Sequence, residues 1–162
     1  MTGGKRLALG LLLAALTGTP LSAQRPVELG LNGIATFAST DLVVGGVYAA
    51  MRPADRVRIA LTAGVGTASD ATAFRGELLG HFLLSPHASR GVGVYGLGGV
   101  ALADAAFPEG RTARGYLVLG LGAEAHPGRR SGWAVEVGVG GGFRLGLGYR
   151  WRWFRGFPEG RP

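Results

Sequence analysis

Cysteine is absent from this chain of 162 residues, and lysine occurs only once, at Lys5. The lack of cysteine excludes disulfides and thiolate metal sites, so a packed core or a closed ring of hydrogen bonds has to hold the fold together. Long apolar runs are also missing. The uninterrupted apolar stretch at residues 7–16 is shorter than the roughly 20 residues that a transmembrane helix needs.

The N-terminal segment has the pattern of an export signal. Lys5 and Arg6 precede the apolar stretch, and Leu21-Ser22-Ala23-Gln24 supplies a small-residue cleavage site. We therefore predict that residues 1–23 are a signal peptide and that the mature chain begins at Gln24. Of the 17 basic residues, the 15 left after cleavage are all arginine and face 10 acidic residues, a charge of +5. Export and the scattered arginines argue against nucleic-acid binding.

The mature chain alternates apolar and polar residues in eight segments of about nine to twelve residues, the pattern of half-buried β-strands. The clearest is the last, Phe143–Trp153, in which every second residue is apolar and three of the others are Arg144, Arg150 and Arg152. The segment at residues 42–51 is apolar on both faces, so its orientation stays open. Residues 103–112 are expected to form the longest loop.

Charges fall on one face only of the seven segments whose facing can be assigned. They are Glu28, Arg56, Arg58, Arg75, Glu77, Arg114, Glu124, Glu136, Arg144, Arg150 and Arg152. Connections two, four and six contain proline, which is typical of an up-and-down meander with two different ends. We therefore predict an all-β, eight-stranded antiparallel transmembrane barrel over residues 24–153, followed by a tail at residues 154–162.

Alternation alone leaves open which face points outward, because a lipocalin-like barrel has an apolar cavity and a polar exterior. The polar face here carries few charges and much glycine, which suits a filled interior better than a water-facing surface. Buried charges must pair, and we expect Glu28 near Arg150 or Arg152 and Glu136 near Arg144. The predicted interior network comprises Glu28, Arg58, Arg75, Glu77, Glu124, Glu136, Arg144, Arg150 and Arg152. Trp133, Tyr149, Trp151 and Trp153 are the predicted interfacial aromatics.

Taken together, the signal peptide, the eight amphipathic strands and the aromatic last strand resemble the small outer-membrane β-barrel proteins of Gram-negative bacteria, the OmpA/OmpX-like group. Arg144, Gly146, Tyr149 and Trp151 match in register the insertion signal of that family. The resemblance implies an outer-membrane location, with membrane lipid and the barrel-insertion machinery as partners, no nucleic acid, and a monomer. The family commonly ends on an aromatic residue, whereas nine residues follow Trp153 here; the resemblance places this tail in the periplasm.

Candidate catalytic groups are sparse. His81 shares the charged face with Glu77, but no serine accompanies them to complete a triad. His126 and Ser131 flank a turn and are expected to be solvated. No spacing indicates a metal site, and the glycine-rich stretches lack the helix N-terminus that binds phosphate.

We therefore expect no catalytic, cofactor-binding or metal-binding residues, and a structural or narrow interaction role for a porin-like membrane protein with a side-chain-filled lumen. Two alternatives remain at this point. One is a secreted or periplasmic lipocalin-like barrel that binds an apolar ligand. The other is a barrel enzyme that modifies lipid A.

Overall fold

The computed structural model describes residues 27–69, 71–86, 90–107 and 110–153. The predicted signal peptide at residues 1–23 and the predicted tail at residues 154–162 lie outside the described residues. Within the described ranges, no helix has the length and apolar character needed to cross a membrane.

Eight antiparallel strands form one closed barrel in which each strand pairs with its sequence neighbours and β1 pairs with β8. The prediction of an eight-stranded up-and-down barrel is confirmed. Both ends of the described chain, Val27 and Trp153, are paired with one another and mark one end of the barrel. The strands are β1 (Val27–Phe37), β2 (Leu42–Ala54), β3 (Val57–Ala68), β4 (Ala71–Leu83), β5 (Val92–Phe107), β6 (Gly110–Ala125), β7 (Ser131–Val139) and β8 (Phe143–Trp153).

The outer wall of the barrel is apolar on every strand. Leu119 on β6 is 63% exposed, while its neighbour Val118 is fully buried, and the same alternation runs along β1, β3, β4 and β8. Large exposed apolar side chains from all eight strands therefore form a continuous belt, which we call the apolar belt. Such a wall would be unfavourable in water, whereas it is the normal exterior of a barrel in lipid.

The orientation of β2, left open by the sequence, is decided by the closed sheet. Leu42, Val44 and Tyr48 point inward and are buried, while Val43 and Val47 are exposed. Inward apolar residues also occur on the other strands, where Leu79, Tyr95 and Val118 contribute to one small core cluster. The interior is thus mixed, since apolar side chains separate the charged ones.

The prediction of a loop at residues 103–112 is wrong. The strands continue through most of it, because β5 reaches Phe107, β6 starts at Gly110, and backbone pairing holds Ala103 opposite Arg114. Small alanines give little hydrophobic contrast along this stretch, so the pattern that marks the other strands is weak here. The β5–β6 hairpin therefore extends far beyond β7, which pairs with β6 only over residues 119–124.

Two arginines of the predicted charged face are exposed in the structure. Arg56 lies in the turn between β2 and β3, and Arg114 lies near the end of the β5–β6 hairpin. The alternation assigns a residue to one face of its strand, but it does not say how far along the strand that residue lies from the centre of the barrel. Near the rim, the face that points inward is open to solvent.

Candidate functional site in the barrel interior

Charged side chains fill the half of the barrel near the chain ends. Glu28 on β1 is fully buried and lies 3.1 Å from Arg52, 3.3 Å from Arg58 and 3.8 Å from Arg152. Register explains the last contact, because Glu28 is directly opposite Arg152 across the β1–β8 seam. One carboxylate thereby links β1 to β2, β3 and β8.

Glu124 is the second acceptor in this half. Two guanidinium nitrogens of Arg58 donate to its two carboxylate oxygens at 3.0 Å each, a bidentate pair. Arg152 Nη2 donates to the same carboxylate at 2.9 Å, and Arg150 Nη1 lies 3.5 Å away. Because Glu124 comes from β6 and these arginines from β3 and β8, the contacts cross the lumen rather than follow one sheet face.

A second cluster lies around Glu136. Arg150 Nη2 donates to Glu136 Oε1 at 2.8 Å, and Arg144 Nη2 donates to Oε2 at 3.0 Å. Tyr95, also fully buried, donates its hydroxyl to Glu136 Oε1 at 2.8 Å and accepts from Arg150 at 3.0 Å. Arg150 also lies over the ring of Tyr48, 4.4 Å from the ring centroid.

The third cluster is nearest to the end opposite the termini. Arg144 donates to Glu77 from Nη2 at 2.7 Å and from Nε at 3.1 Å. Arg75 Nε donates to the same Glu77 at 2.8 Å, while its Nη2 donates to the backbone oxygen of Gly140 at 2.9 Å. Arg144 therefore links Glu77 to Glu136 and makes the second and third clusters continuous.

The structure places all nine residues of the proposed network inside the barrel, where each takes part in at least one ion pair. Arg52 joins them and was missed from the sequence. The sequence predicts that the second segment ends at residue 51, before Pro53, whereas β2 continues to Ala54 through a register shift between Met51 and Ala54. The available signal was the spacing, because Arg52 lies two positions beyond the inward Ala50 and the alternation of a strand places both on the same face.

These clusters together hold six arginines and four glutamates, so the interior has two positive charges in excess. Breaking a buried ion pair by removing one partner leaves an uncompensated charge and is strongly destabilising. The network therefore ties distant strands together and fills the centre of the lumen with side chains.

His81 occupies a buried position beside this network. Its ring stacks on Tyr95 with centroids 4.8 Å apart, and neither ring nitrogen has a hydrogen-bond partner among the described residues. The other candidate, Ser131, accepts a hydrogen bond from the Tyr149 hydroxyl at 2.9 Å, and His126 is exposed. In the described part of the chain, no group of three or more potential ligand side chains could hold a metal ion.

The four residues of the proposed insertion signal lie on both faces of β8. Arg144 and Gly146 point inward, whereas Tyr149 and Trp151 lie on the outer face. The ring of Tyr149 makes edge contacts with Trp133 and Trp151, at centroid distances of 5.0 and 5.1 Å. Trp153 is exposed at the end of the same face, so these aromatics cluster near the chain ends.

Comparisons with solved structures find the same fold. The N-terminal β-barrel domain of Pseudomonas aeruginosa OprF superposes with a TM-score of 0.69 at 18% identity, covering 79% of this chain and 97% of that one. Neisserial surface protein A gives 0.55 at 11% identity, covering 81% and 98%. Ail, the attachment invasion locus protein of Yersinia pestis, gives 0.50 at 13% identity, covering 80% and 97%.

No family model matches the sequence, and no curated protein matches it. The structural neighbours are small eight-stranded outer-membrane barrels, and the chain has the fold of that group. At these identities the likeness concerns the fold.

Proposed function

We propose that this chain spans the bacterial outer membrane as a barrel with a structural or narrow interaction role, and that its lumen is closed by the charged network. The observation that carries the proposal is the difference between the outer and inner faces of the barrel wall. Large apolar side chains form the belt outside, and ten paired charged side chains lie inside. Lipid solvates the apolar belt, and ion pairing within the lumen stabilises the charged side chains.

The lipocalin-like alternative requires the opposite division. A carrier of an apolar ligand would have an apolar chamber and a polar exterior. Here the centre of the barrel holds Arg58, Glu124 and Arg150, while Leu61, Leu117 and Leu121 are more than half exposed. The charge distribution therefore favours a membrane barrel over a soluble carrier.

The enzyme alternative would place a base and a nucleophile on a surface that lipid reaches. His81 instead lies inside the barrel at 1% exposure, between Tyr95 and the charged clusters. If the chain modified lipid A through this residue, His81→Ala would abolish the modification. We expect no difference in the lipid A mass spectrum between cells that express the wild-type and the variant protein.

The biogenesis that we propose follows from the same features. Cleavage of residues 1–23 would release the mature chain into the periplasm, and Arg144, Gly146, Tyr149 and Trp151 would present the insertion signal to the barrel-insertion machinery. The ends of the described chain, Val27 and Trp153, and the Trp133–Tyr149–Trp151 contacts lie at one end of the barrel, which is the end we assign to the periplasm. The inserted protein is proposed to be a monomer surrounded by membrane lipid.

Membrane fractionation tests the location directly. We expect the mature protein in the outer-membrane fraction, soluble only with detergent, and we expect its band to shift on a gel when the sample is boiled. Recovery in the soluble fraction without detergent would refute the proposal. The heat-dependent gel shift also reports a closed barrel, so it serves as the folding control for substituted variants.

A further inference from the structure

The end of the barrel opposite the chain termini contains a concave space that the charged network leaves unfilled. Its volume is about 130 Å³, and we call it the mouth cavity. Strands β1 to β6 and the β7–β8 turn contribute to its lining. The lining includes Thr36, Leu42, Arg75, Ala103, Arg114 and Tyr116.

Small side chains account for the open space. Ala68, Ala103 and Ala105 line the wall, so no long side chain at these three positions fills this end of the barrel. At the β7–β8 turn, Gly141 has a φ of 83°, and a Cβ there would come within 2.8 Å of the Tyr116 ring. A side chain at that position would thus be strained and would also press on Tyr116.

The floor of the cavity carries a buried guanidinium group. Arg75 is 3% exposed and donates from Nε to Glu77, from Nη1 to Thr36 and from Nη2 to the Gly140 oxygen. A guanidinium has five N–H donors, so these contacts among the described residues use three of them. The guanidinium carbon also lies 5.9 Å from the ring centroid of Tyr116, within cation–π distance.

A second guanidinium lies at the rim. Arg114 lines the cavity and is exposed, and Asp104 is the lining residue of opposite sign. Arg75 is already paired with Glu77, whereas Arg114 is exposed at the rim. Guanidinium groups recognise carboxylates with directional hydrogen bonds. Between floor and rim the wall is apolar, formed by Leu42 and the alanines.

We propose that the mouth cavity binds a small carboxylic acid with an apolar ring. The mouth cavity is close in volume to the cavity of about 150 Å³ that accepts one benzene ring in an apolar protein core, and the carboxylate would lie at the rim, outside the space that the ring occupies. The ring would contact Leu42, Ala103 and Ala105, and the carboxylate would accept hydrogen bonds from Arg114 and from the remaining donors of Arg75. A ligand with an ammonium group in place of the carboxylate could not accept these hydrogen bonds.

This inference goes beyond the proposed membrane role and is independent of it, because binding can be measured in detergent. Benzoate is the probe, titrated calorimetrically into the full barrel folded in micelles, with benzylamine as the cationic counterpart of similar size. We expect saturable binding of one benzoate per barrel and an affinity for benzylamine at least tenfold weaker. Arg114→Gln should weaken benzoate binding about tenfold.

Filling the cavity supplies the second test. Ala103→Phe should abolish benzoate binding, and Ala105→Phe provides an independent variant with the same expected result. Ala49→Phe on the outer face and Arg56→Gln in the β2–β3 turn are matched controls that should bind as the wild type does. All variants must show the heat-dependent gel shift before titration, and at least one of the two cavity-filling variants is expected to pass it.

Three results would overturn the inference. The first is the absence of saturable benzoate binding to a folded wild-type barrel. The second is benzylamine binding as tight as that of benzoate. The third is unchanged benzoate affinity in a folded Ala103→Phe or Ala105→Phe variant. None of these results bears on the membrane location, which rests on fractionation.

Discussion

Glu124 is the residue on which the largest number of interior contacts converge. Its carboxylate oxygens lie within 4 Å of guanidinium nitrogens from Arg52, Arg58, Arg150 and Arg152. A single negative charge therefore offsets part of the repulsion between four arginines. A neutral side chain of the same shape at this position would leave that repulsion in a low-dielectric environment, where it is least screened.

Glu124→Gln is accordingly expected to lower the free energy of unfolding by about 3–5 kcal/mol, because it leaves buried arginines without their partner. Urea unfolding of the barrel in lipid vesicles measures the difference. Asp55→Asn is the matched control, since Asp55 is exposed in the β2–β3 turn, and it should change stability by less than about 1 kcal/mol. Equal stability of Glu124→Gln and the wild type would show that the network is not what stabilises the interior.

At the scale of a single strand, each element has two faces that meet different surroundings. Leu119 lies in the middle of β6 with its side chain in the apolar belt, and its neighbours Val118 and Gly120 face the lumen. If lipid surrounds this belt, an arginine at position 119 would lie near the bilayer midplane. Leu119→Arg should then cost about 2–4 kcal/mol in unfolding experiments in lipid vesicles.

The control for this substitution is Leu84→Arg. Leu84 is also exposed but follows the end of β4, close to the chain-terminal end of the barrel. The cost of an arginine falls to about 0–1 kcal/mol near the membrane interface. Similar stability of the two variants would mean that the belt does not contact lipid.

The last strand has a separate role to test, in assembly. Tyr149→Ala and Trp151→Ala should slow insertion by the barrel-insertion machinery several-fold, because they remove the two aromatic residues of the proposed signal. Trp133→Ala removes the third member of the same aromatic cluster but leaves β8 intact, so it should insert at close to the wild-type rate. The rate is measured as the appearance of the heat-shifted band in proteoliposomes that contain the machinery. Equal slowing in all three variants would indicate a packing effect instead of recognition.

At the scale of the whole molecule, the proposed closure of the lumen predicts that the barrel does not conduct. The second and third clusters are joined through Arg144, which contacts both Glu77 and Glu136. Ion flux through vesicles that contain the wild-type barrel is expected to be close to that of empty vesicles. The double variant Glu77→Ala/Arg144→Ala removes one charge of each sign and opens the lumen at this junction.

We expect the double variant to increase ion flux at least several-fold over the wild type, measured at matched protein density with the gel shift as the folding control. Leu61→Ala, which shortens a side chain of the outer belt, should leave the flux unchanged. A wild-type barrel that already conducts as well as the double variant would contradict the closed lumen.

Much of the fold was predictable because a strand in a two-faced wall imposes a period of two on its sequence. β1, β3, β4 and β8 each repeat apolar and polar residues at that period, and their predicted facing agrees with the exposure of Leu29, Leu61, Leu78 and Leu147. The prediction failed at residues 103–112, where alanine on both faces removes the contrast. Arg52 was missed for a related reason, since proline at position 53 normally ends a strand and here follows a register shift.

The alternation along each segment, by itself, determined the number of strands, their antiparallel order and the face that carries charge, because these depend on residues close together in the chain. Only the tertiary structure decided which charges meet across the lumen. The pairing of Arg58 with Glu124, or of Arg144 with Glu77, joins residues 66 and 67 positions apart across the lumen. Their proximity depends on barrel closure and stagger, properties of all eight strands together that no single segment encodes.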